Sequence, residues 1–255
     1  IQAMSGLMSI TGIEKPTKVG VAVSDLITGL YATVGILGAY TRARETGQGE
    51  FIDISLLDAQ LATLANQASN FLVSGKSPGL SGNAHPNIVP YQVFDTADDP
   101  IVVAVGNDGQ FASLCKVIHC EHLSSDPRFS SNSDRVLNRQ TLVDLIAAEL
   151  AKQPADFWLA ALDDNGVPVG PVNTIGEAFT DPQVLERQTV MQLERADLGA
   201  VPSVLSPIRF RNHGREESKA PPALGDSTGA VLRELGFSEK EIENLSSAAV
   251  VEKSN

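Results

Sequence analysis

A single acid, Asp25, lies between Gly20 and Gly29, where a long apolar stretch begins. The apolar residues of the stretch recur at helical spacing on one face: Leu26, Leu30, Val34 and Leu37. We therefore predict a helix that is capped by Ser24 and runs to about Glu45. A helix of this length needs a neighbouring layer to cover its apolar face.

The residues after this helix predict a change of secondary structure. Gly47 and Gly49 should end the helix. In Glu50–Ser55 polar residues alternate with apolar ones, which is typical of a strand. Ser55 and Asp58 then have the spacing of a capping-box-like helix start, and this second helix should run to about Val73. The order helix, strand, helix favours an α/β fold.

The chain downstream predicts a smaller α/β domain. We place its limits at residues 76–188, with the boundary in a loop at residues 74–90 that is rich in Gly, Ser, Pro and Asn. Residues 1–75 precede this domain, and a return segment, residues 189–255, follows it. Its expected strand is Ile101–Val105, and its first helix buries Phe111, Leu114, Cys115 and Ile118. Further helices are expected at 135–152, 156–162, 227–235 and 238–245, and strand-like pieces at 189–193 and 208–211.

Composition narrows the class of protein. The formal net charge is −12 and the sequence pI is about 4.7, which argues against nucleic acid and anionic membrane surfaces as partners. Cys115 and Cys120 form no disulfide framework and no signal peptide is visible, so we expect a cytoplasmic protein. The run from Leu26 to Thr41 reads as too short and too polar to span a membrane.

Asp25 has two readings from the residues alone. In the first, it is an ordinary acid that supports the start of a helix. In the second, it is a nucleophile, because the adjacent glycines allow a bulky ligand to approach the backbone and the helix dipole favours the anion. An acid among small residues is a poor choice for packing, but acids are common at helix starts, so the residues alone favour the first reading.

Motifs over nearly the whole chain decide between these readings, because their order and spacing resemble those of the class III CoA-transferases. This group includes formyl-CoA transferase, carnitine CoA-transferase and α-methylacyl-CoA racemase. The motifs are Ala3-Met-Ser-Gly-Leu-Met-Ser-Ile-Thr-Gly12, Gly20-Val-Ala-Val-Ser-Asp25-Leu-Ile-Thr-Gly29, Thr46-Gly-Gln-Gly49, Asp53-Ile-Ser-Leu-Leu-Asp58, Val89-Pro-Tyr-Gln-Val-Phe94, Val105-Gly-Asn-Asp-Gly-Gln-Phe111, Asp126-Pro-Arg-Phe129, Gly166-Val-Pro-Val-Gly-Pro171, Asp181-Pro-Gln-Val184 and Pro221-Pro-Ala-Leu-Gly225.

The resemblance implies the chemistry. It implies that Asp25 is the catalytic nucleophile, that a coenzyme A thioester is a substrate, and that no cofactor is tightly bound. Backbone N–H groups near Gly20 or Gly29 would stabilise the oxyanion. The first motif lies well inside family members, so the resemblance also implies that this chain corresponds to the C-terminal portion of a longer protein.

The resemblance also implies an architecture. Residues 1–75 would belong to a large, Rossmann-like CoA-binding domain with a linker helix, to which residues 189–255 would return. Residues 76–188 would form the small domain, and two identical subunits would interlock like links of a chain to give a homodimer.

His85 is the second candidate site residue. It lies in Gly82-Asn-Ala-His85-Pro-Asn, at a position where the formyl-CoA transferases carry a glycine-rich loop over the active site. This sequence departs from that loop, so the loop mechanism does not transfer. His85 would either touch the carboxylate of an acceptor acid or bond to backbone as an ordinary loop histidine.

Other polar residues have simpler interpretations. Cys115, His119, Cys120 and His122 lack the paired spacing of zinc sites, so we predict no metal centre. Asp53 is expected to point outward from the predicted strand, Asp58 to support a helix start, and Asn107-Asp108 to begin a helix.

Together these features predict a CoA-transferase that acts on an acyl-CoA thioester and a free carboxylic acid. The stretch from His85 to Phe94 is most similar to the branch that uses dicarboxylates such as succinate or glutarate. Two alternatives stay open: an α-methylacyl-CoA racemase, and a non-catalytic fragment.

Overall fold

The computed structural model describes residues 1–195, 197–212, 219–248 and 250–251. The chain divides into two compact units, residues 1–172 and residues 173–255. Both units mix helices with antiparallel sheet, so the predicted α/β class is correct. The finer domain limits proposed from sequence, at residues 75 and 188, stay predictions.

The first unit begins with helices and ends in a three-stranded sheet. Its elements are α1 (Leu7–Ile10), α2 (Val23–Thr46), α3 (Leu56–Ala62), α4 (Ala65–Ser74), β1 (Tyr91–Phe94), β2 (Ile101–Ala104), α5 (Asp108–Val117), α6 (His122–Ser125), α7 (Asn132–Leu137), α8 (Arg139–Leu150), α9 (Ala155–Asp163) and β3 (Val169–Pro171). The elements of the second unit are α10 (Ile175–Thr180), α11 (Pro182–Glu186), β4 (Val190–Arg195), β5 (Gly199–Val204), α12 (Thr228–Glu234) and α13 (Glu239–Ser247).

The hydrophobic core of the first unit lies around its sheet. Strand β2 is central and pairs antiparallel with both β1 and β3, for example Val93 with Val102 and Ile101 with Pro171. Ile101 and Val103 are fully buried because alternate residues of a strand face the same side. The predicted apolar face of α5 packs against this side with the helices that follow: the core includes Phe111, Leu114, Cys115, Ile118, Leu142, Ile146, Leu150, Trp158 and Leu162.

Residues 1–88 pack much less deeply. Ala59 is the only hydrophobic residue in this range, all of which the structure describes, that is buried. Helix α2 leaves large apolar side chains exposed along its length: Leu26, Leu30, Tyr31, Val34, Ile36, Leu37 and Tyr40. The predicted helix is present, but its apolar face has no covering layer within the described part of the chain.

Helix α2 also bears on the membrane prediction. It is 24 residues long, and by length and composition it is the one described helix apolar enough to cross a bilayer. The expectation that residues 26–41 are too short and too polar was therefore wrong on these two criteria, because the helix continues beyond that run at both ends. Core helices of soluble proteins pass the same test, so length and composition alone do not assign α2 to a membrane.

Four predicted elements differ in the structure. The helix expected at 135–152 divides at Asn138 into α7 and α8. Residues 50–55 form no strand, because no other described segment pairs with them. The helix expected from Ser55 to Val73 divides into α3 and α4, since Ala65 takes a φ of 47° that an α-helix does not accept. The segment 208–211 is no strand either; Val190–Arg195 pairs instead with Gly199–Val204.

Candidate active site

Asp25 lies in the first turn of α2, as the sequence predicts. The helix begins at Val23 after Ala22, a residue that supplies no side-chain cap, and Asp25 is the acid of its first turn. The side chain is exposed. The partial positive charge of a helix N-terminus favours an anion at this position. Asp25 is thus an exposed carboxylate side chain at the start of a long helix.

Ser24 does not cap the helix, contrary to the prediction. Its hydroxyl instead donates to the Oε1 atom of Gln60 in α3, at 2.6 Å, and both side chains are buried. The Nε2 group of Gln60 donates in turn to Oγ1 of Thr63. Because the helix begins two residues earlier than predicted, Ser24 points into the contact between α2 and α3 rather than at its own backbone.

A small cavity adjoins Asp25. Its volume is about 280 Å³, and it is lined by Ile1, Gln2, Lys18, Gly20, Val21, Ala22, Ser24 and Asp25. The amide of Gln2 holds the wall of this cavity, since its Nε2 donates to the carbonyls of Val19 and Val21 and its Oε1 accepts from Val19 N–H at 2.8 Å. Lys18 places a cation in the same cavity as the Asp25 carboxylate.

The two glycines that flank Asp25 take different places. Gly20 lines the cavity, and Gly29 lies well inside α2. An added Cβ would meet nothing within 4 Å at either position, so the packing of the described residues does not require glycine there. An N–H as deep in a helix as that of Gly29 bonds to the carbonyl four residues earlier. Gly20 is therefore the more accessible of the two predicted oxyanion donors.

His85 lies in the loop between α4 and β1. Its ring stacks on Tyr91 with 5.3 Å between centroids, and its Nδ1 accepts from the N–H of Asn87 at 3.1 Å. Partial burial lowers the pKa of His85 below its usual value, and the nearby Arg139 guanidinium lowers it further. The imidazole is therefore neutral near pH 7, with one nitrogen already engaged by backbone.

The structure does not bring His85 and Asp25 to one cavity. His85 lines a larger cavity of about 750 Å³, formed by residues 76–86 together with Ile13, Gln67, Asn70, Gln92, Val93, Arg139, Gln140 and Val143. Sequence reasoning missed Arg139, the first residue of α8. No local signal could have found it, because it reaches His85 from 54 positions away.

The remaining residues considered in the sequence analysis contribute to the core or to helix caps. Cys115 is fully buried in the core, and burial raises the pKa of its thiol to about 12. Among the described residues no three His, Cys, Asp or Glu side chains converge as metal ligands. Ser55 caps α3 by accepting from the N–H of Asp58 at 3.0 Å, and Asn107 caps α5, both as predicted.

A comparison with protein families shows which family the chain belongs to. The model of CoA-transferase family III matches residues 1–228. This chain belongs to CoA-transferase family III.

Curated members of the family are similar over almost the whole chain. A succinate–glutarate CoA-transferase of Agrobacterium fabrum is 42% identical over 242 residues, which are 94% of this chain and 60% of that protein. A human succinyl-CoA:glutarate CoA-transferase is 39% identical, with 98% of this chain and 58% of that protein covered. This family III chain therefore spans about three-fifths of the length of these relatives.

A solved structure agrees with the family assignment. The crystal structure of a CaiB/BaiF family protein from Brucella suis superposes with a TM-score of 0.75 at 40% identity, covering 92% of this chain and 61% of that one. The family III fold is thus shared across most of this chain. Residues 50–55 and the exposed α2 lie within residues 1–228, which the family model matches.

Proposed function

We propose that the complete gene product is a CoA-transferase that moves CoA between an acyl-CoA thioester and a free dicarboxylic acid, with Asp25 as its nucleophile. The observation that carries the proposal is an exposed carboxylate in the first turn of α2, beside a cavity, in a chain of this family. The names of the relatives, succinate–glutarate and succinyl-CoA:glutarate CoA-transferase, support a dicarboxylate as the acid. They also favour transfer over the racemase reaction.

The first half-reaction charges Asp25 with CoA. A carboxylate oxygen of Asp25 attacks the thioester carbonyl, the C–S bond breaks, and CoA leaves as a thiolate while a mixed anhydride forms. The thiolate then attacks the carbonyl carbon of Asp25, which releases the donor as a free carboxylate and leaves an aspartyl–CoA thioester. Two easier steps replace one difficult exchange.

The second half-reaction reverses this sequence on the acceptor. The acceptor carboxylate attacks the aspartyl thioester, the thiolate leaves, and a second anhydride forms. Attack of the thiolate on the acceptor carbonyl produces the new acyl-CoA and restores the Asp25 carboxylate. Each attack develops an oxyanion, which backbone N–H groups at Gly20 and in the first turn of α2 are suited to stabilise.

CoA serves in this scheme as a substrate, and no tightly bound cofactor is needed. The net charge of −12 does not oppose an anionic substrate, because a local cation is enough to attract it. Lys18, in the cavity that contains Asp25, is such a cation. His85, which lines the larger cavity, is the residue we propose to contact the carboxylate of the acid substrate.

We further propose that the protein is a cytoplasmic, interlocked homodimer with a Rossmann-like large domain. The exposed apolar side chains of α2 support this assembly, since such a surface is usually covered by another protein surface. In this proposal α2 is a linker helix packed against protein, not a membrane span, and nucleic acid is no partner.

Trapping the activated aspartate tests the proposed reaction. The complete gene product is incubated with succinyl-CoA and hydroxylamine, which converts an anhydride or thioester of Asp25 into a hydroxamate. The tryptic peptide 19–42 contains Asp25 as its only acidic residue, so a modified peptide assigns the nucleophile without ambiguity. A hydroxamate on any other acid, or none, would overturn the proposal.

A further inference from the structure

Gln2 uses its whole side-chain amide on the backbone just ahead of Asp25. Its Nε2 group donates to the carbonyls of Val19 at 3.3 Å and Val21 at 3.4 Å, and its Oε1 atom accepts from the N–H of Val19 at 2.8 Å. A side-chain amide offers two donors and an acceptor together, which is what these three backbone groups require. Gln2 therefore bonds to residues 19 and 21 much as a neighbouring strand would.

Gln2 is itself held in place at its backbone. Its carbonyl accepts from the N–H of Met8 at 3.2 Å and from the hydroxyl of the buried Ser5 at 3.4 Å. The side chain then reaches residues 17 and 19 positions further along the chain. The segment that leads into α2 is thus fixed from outside by an anchored side chain.

The contact with Gln2 sets the direction of two peptide groups. In a trans peptide the carbonyl of one residue and the N–H of the next point in opposite directions, and the peptide bonds of this segment are trans. The carbonyls of Val19 and Val21 point at Gln2. The N–H groups of Gly20 and Ala22 therefore both point away from it.

These two N–H groups are available to a ligand. Both residues precede the first residue of α2, and neither N–H donates to an acceptor among the described residues. Gly20 and Ala22 are exposed, and both line the cavity that contains Asp25. A pair of fixed N–H donors beside a nucleophile is the arrangement that stabilises a developing oxyanion.

We infer that Gln2 is a positioning residue for the reaction, because it holds the N–H groups of Gly20 and Ala22 ready for the oxyanion. As the Asp25 carboxylate attacks, the electron pair of the thioester carbonyl moves to its oxygen, and it returns when the C–S bond breaks. Gln2 touches none of these atoms and acts only through the backbone. The inference rests on the proposed function and deepens it.

Steady-state kinetics of Gln2→Met in the complete gene product test the inference. Methionine keeps the size of the side chain and removes all three hydrogen bonds. We expect kcat to fall at least about tenfold while KM for succinyl-CoA stays unchanged, because the oxyanion forms only after binding. If Gln2→Met does not fold, Gln2→Asn takes its place, since it withdraws the same amide by one methylene and should also lower kcat alone.

Asn138→Leu is the matched control for a loss of stability. Asn138 is half-buried like Gln2, and its amide also donates to two carbonyls, those of Arg128 and Asp134. It lines neither the cavity that contains Asp25 nor the cavity that contains His85. This variant should lower the melting temperature about as much as Gln2→Met does, without changing kcat.

A second measurement separates positioning from a general structural role. Glycolic acid in place of Gly20 exchanges the N–H of that residue for an ester oxygen, which should lower kcat about a hundredfold or more. If Gln2 acts through this N–H, adding Gln2→Met to the ester protein should lower kcat by a smaller factor than it does in the parent protein. Factors that simply multiply would contradict the inference.

The outcomes distinguish this inference from the proposed function. If a hydroxamate forms on Asp25 but the Gln2 variant keeps the parent kcat, the inference is wrong and the proposed function stands. Equal losses of kcat in Gln2→Met and Asn138→Leu also overturn the inference alone. A hydroxamate on another acid overturns the proposed function and the inference with it.

Discussion

The hydroxyl of Ser24 donates to Oε1 of Gln60 at 2.6 Å, across 36 positions of sequence. Ser24 immediately precedes Asp25, so this bond fixes the first turn of α2 against α3 next to the proposed nucleophile. Both partners are more than nine-tenths buried, in a region of the chain that has little other core. This buried polar pair therefore helps to position the turn that carries Asp25.

Removing the Ser24 hydroxyl should therefore destabilise the fold. Ser24→Ala leaves the Gln60 oxygen buried without its donor, which costs about 1–3 kcal/mol of unfolding free energy. Urea denaturation measures the change. The control Thr33→Ala removes a hydroxyl of α2 that bonds only to Gly29 in an exposed position, and it should change stability by less than about 0.5 kcal/mol. An equal loss in both variants would show that the pair has no special role.

Asp25→Asn should abolish transfer while preserving the fold. The volume is nearly unchanged and asparagine is accepted at helix starts, but an amide cannot form the anhydride. We expect activity to fall at least several hundredfold, about 4 kcal/mol in the barrier or more. The matched control is Asp53→Asn. Asp53 is exposed, and it lines neither the cavity that contains Asp25 nor the cavity that contains His85. Steady-state kinetics of the complete gene product decide the matter, and full activity in Asp25→Asn would leave Asp25 as an ordinary helix-start acid.

Arg135 should contribute more to stability than its ion pair suggests. Its side chain is 1% exposed and donates to the carbonyls of Val89 and Phe129, besides pairing with Asp108 at 2.7 Å. Arg135→Met removes both donors from buried carbonyls and should cost about 3 kcal/mol or more. Asp108→Asn breaks only the ion pair, whose acid is 65% exposed, and should cost less than about 1 kcal/mol. Equal losses in urea denaturation would contradict this division.

Asp98 should make stability depend on pH in the acid range. Hydrogen bonds from the N–H of Ala155, the N–H of Asp99 and the Thr96 hydroxyl hold the pKa of Asp98 below its ordinary value of 3.8. Because the folded-state pKa is the lower one, the contribution of Asp98 is fully present above pH 3.8 and is lost as pH falls through the folded value. Asp98→Asn should therefore be less stable than the parent protein at pH 6, and the gap should narrow as the pH falls below 3.8. A gap that persists in acid would show that the carboxylate charge is not responsible.

Local sequence patterns determined several helix starts and buried helix faces of this protein. The first-turn position of Asp25, the buried face of α5 and the caps at Ser55 and Asn107 all follow from interactions within a few residues. Short-range rules succeed there because the partners are fixed by the geometry of one helix or one strand. The family motifs added the chemistry that these rules alone left open.

Only the tertiary structure decided the rest. Ser24 bonds to Gln60 rather than to its own helix, residues 50–55 pair with no described strand, and Arg139 joins His85 in a cationic cavity apart from Asp25. Each depends on groups tens of positions apart, whose meeting is set by the packing of whole elements. A local pattern shows that a group needs a partner, whereas only the fold determines which distant group lies within hydrogen-bonding distance.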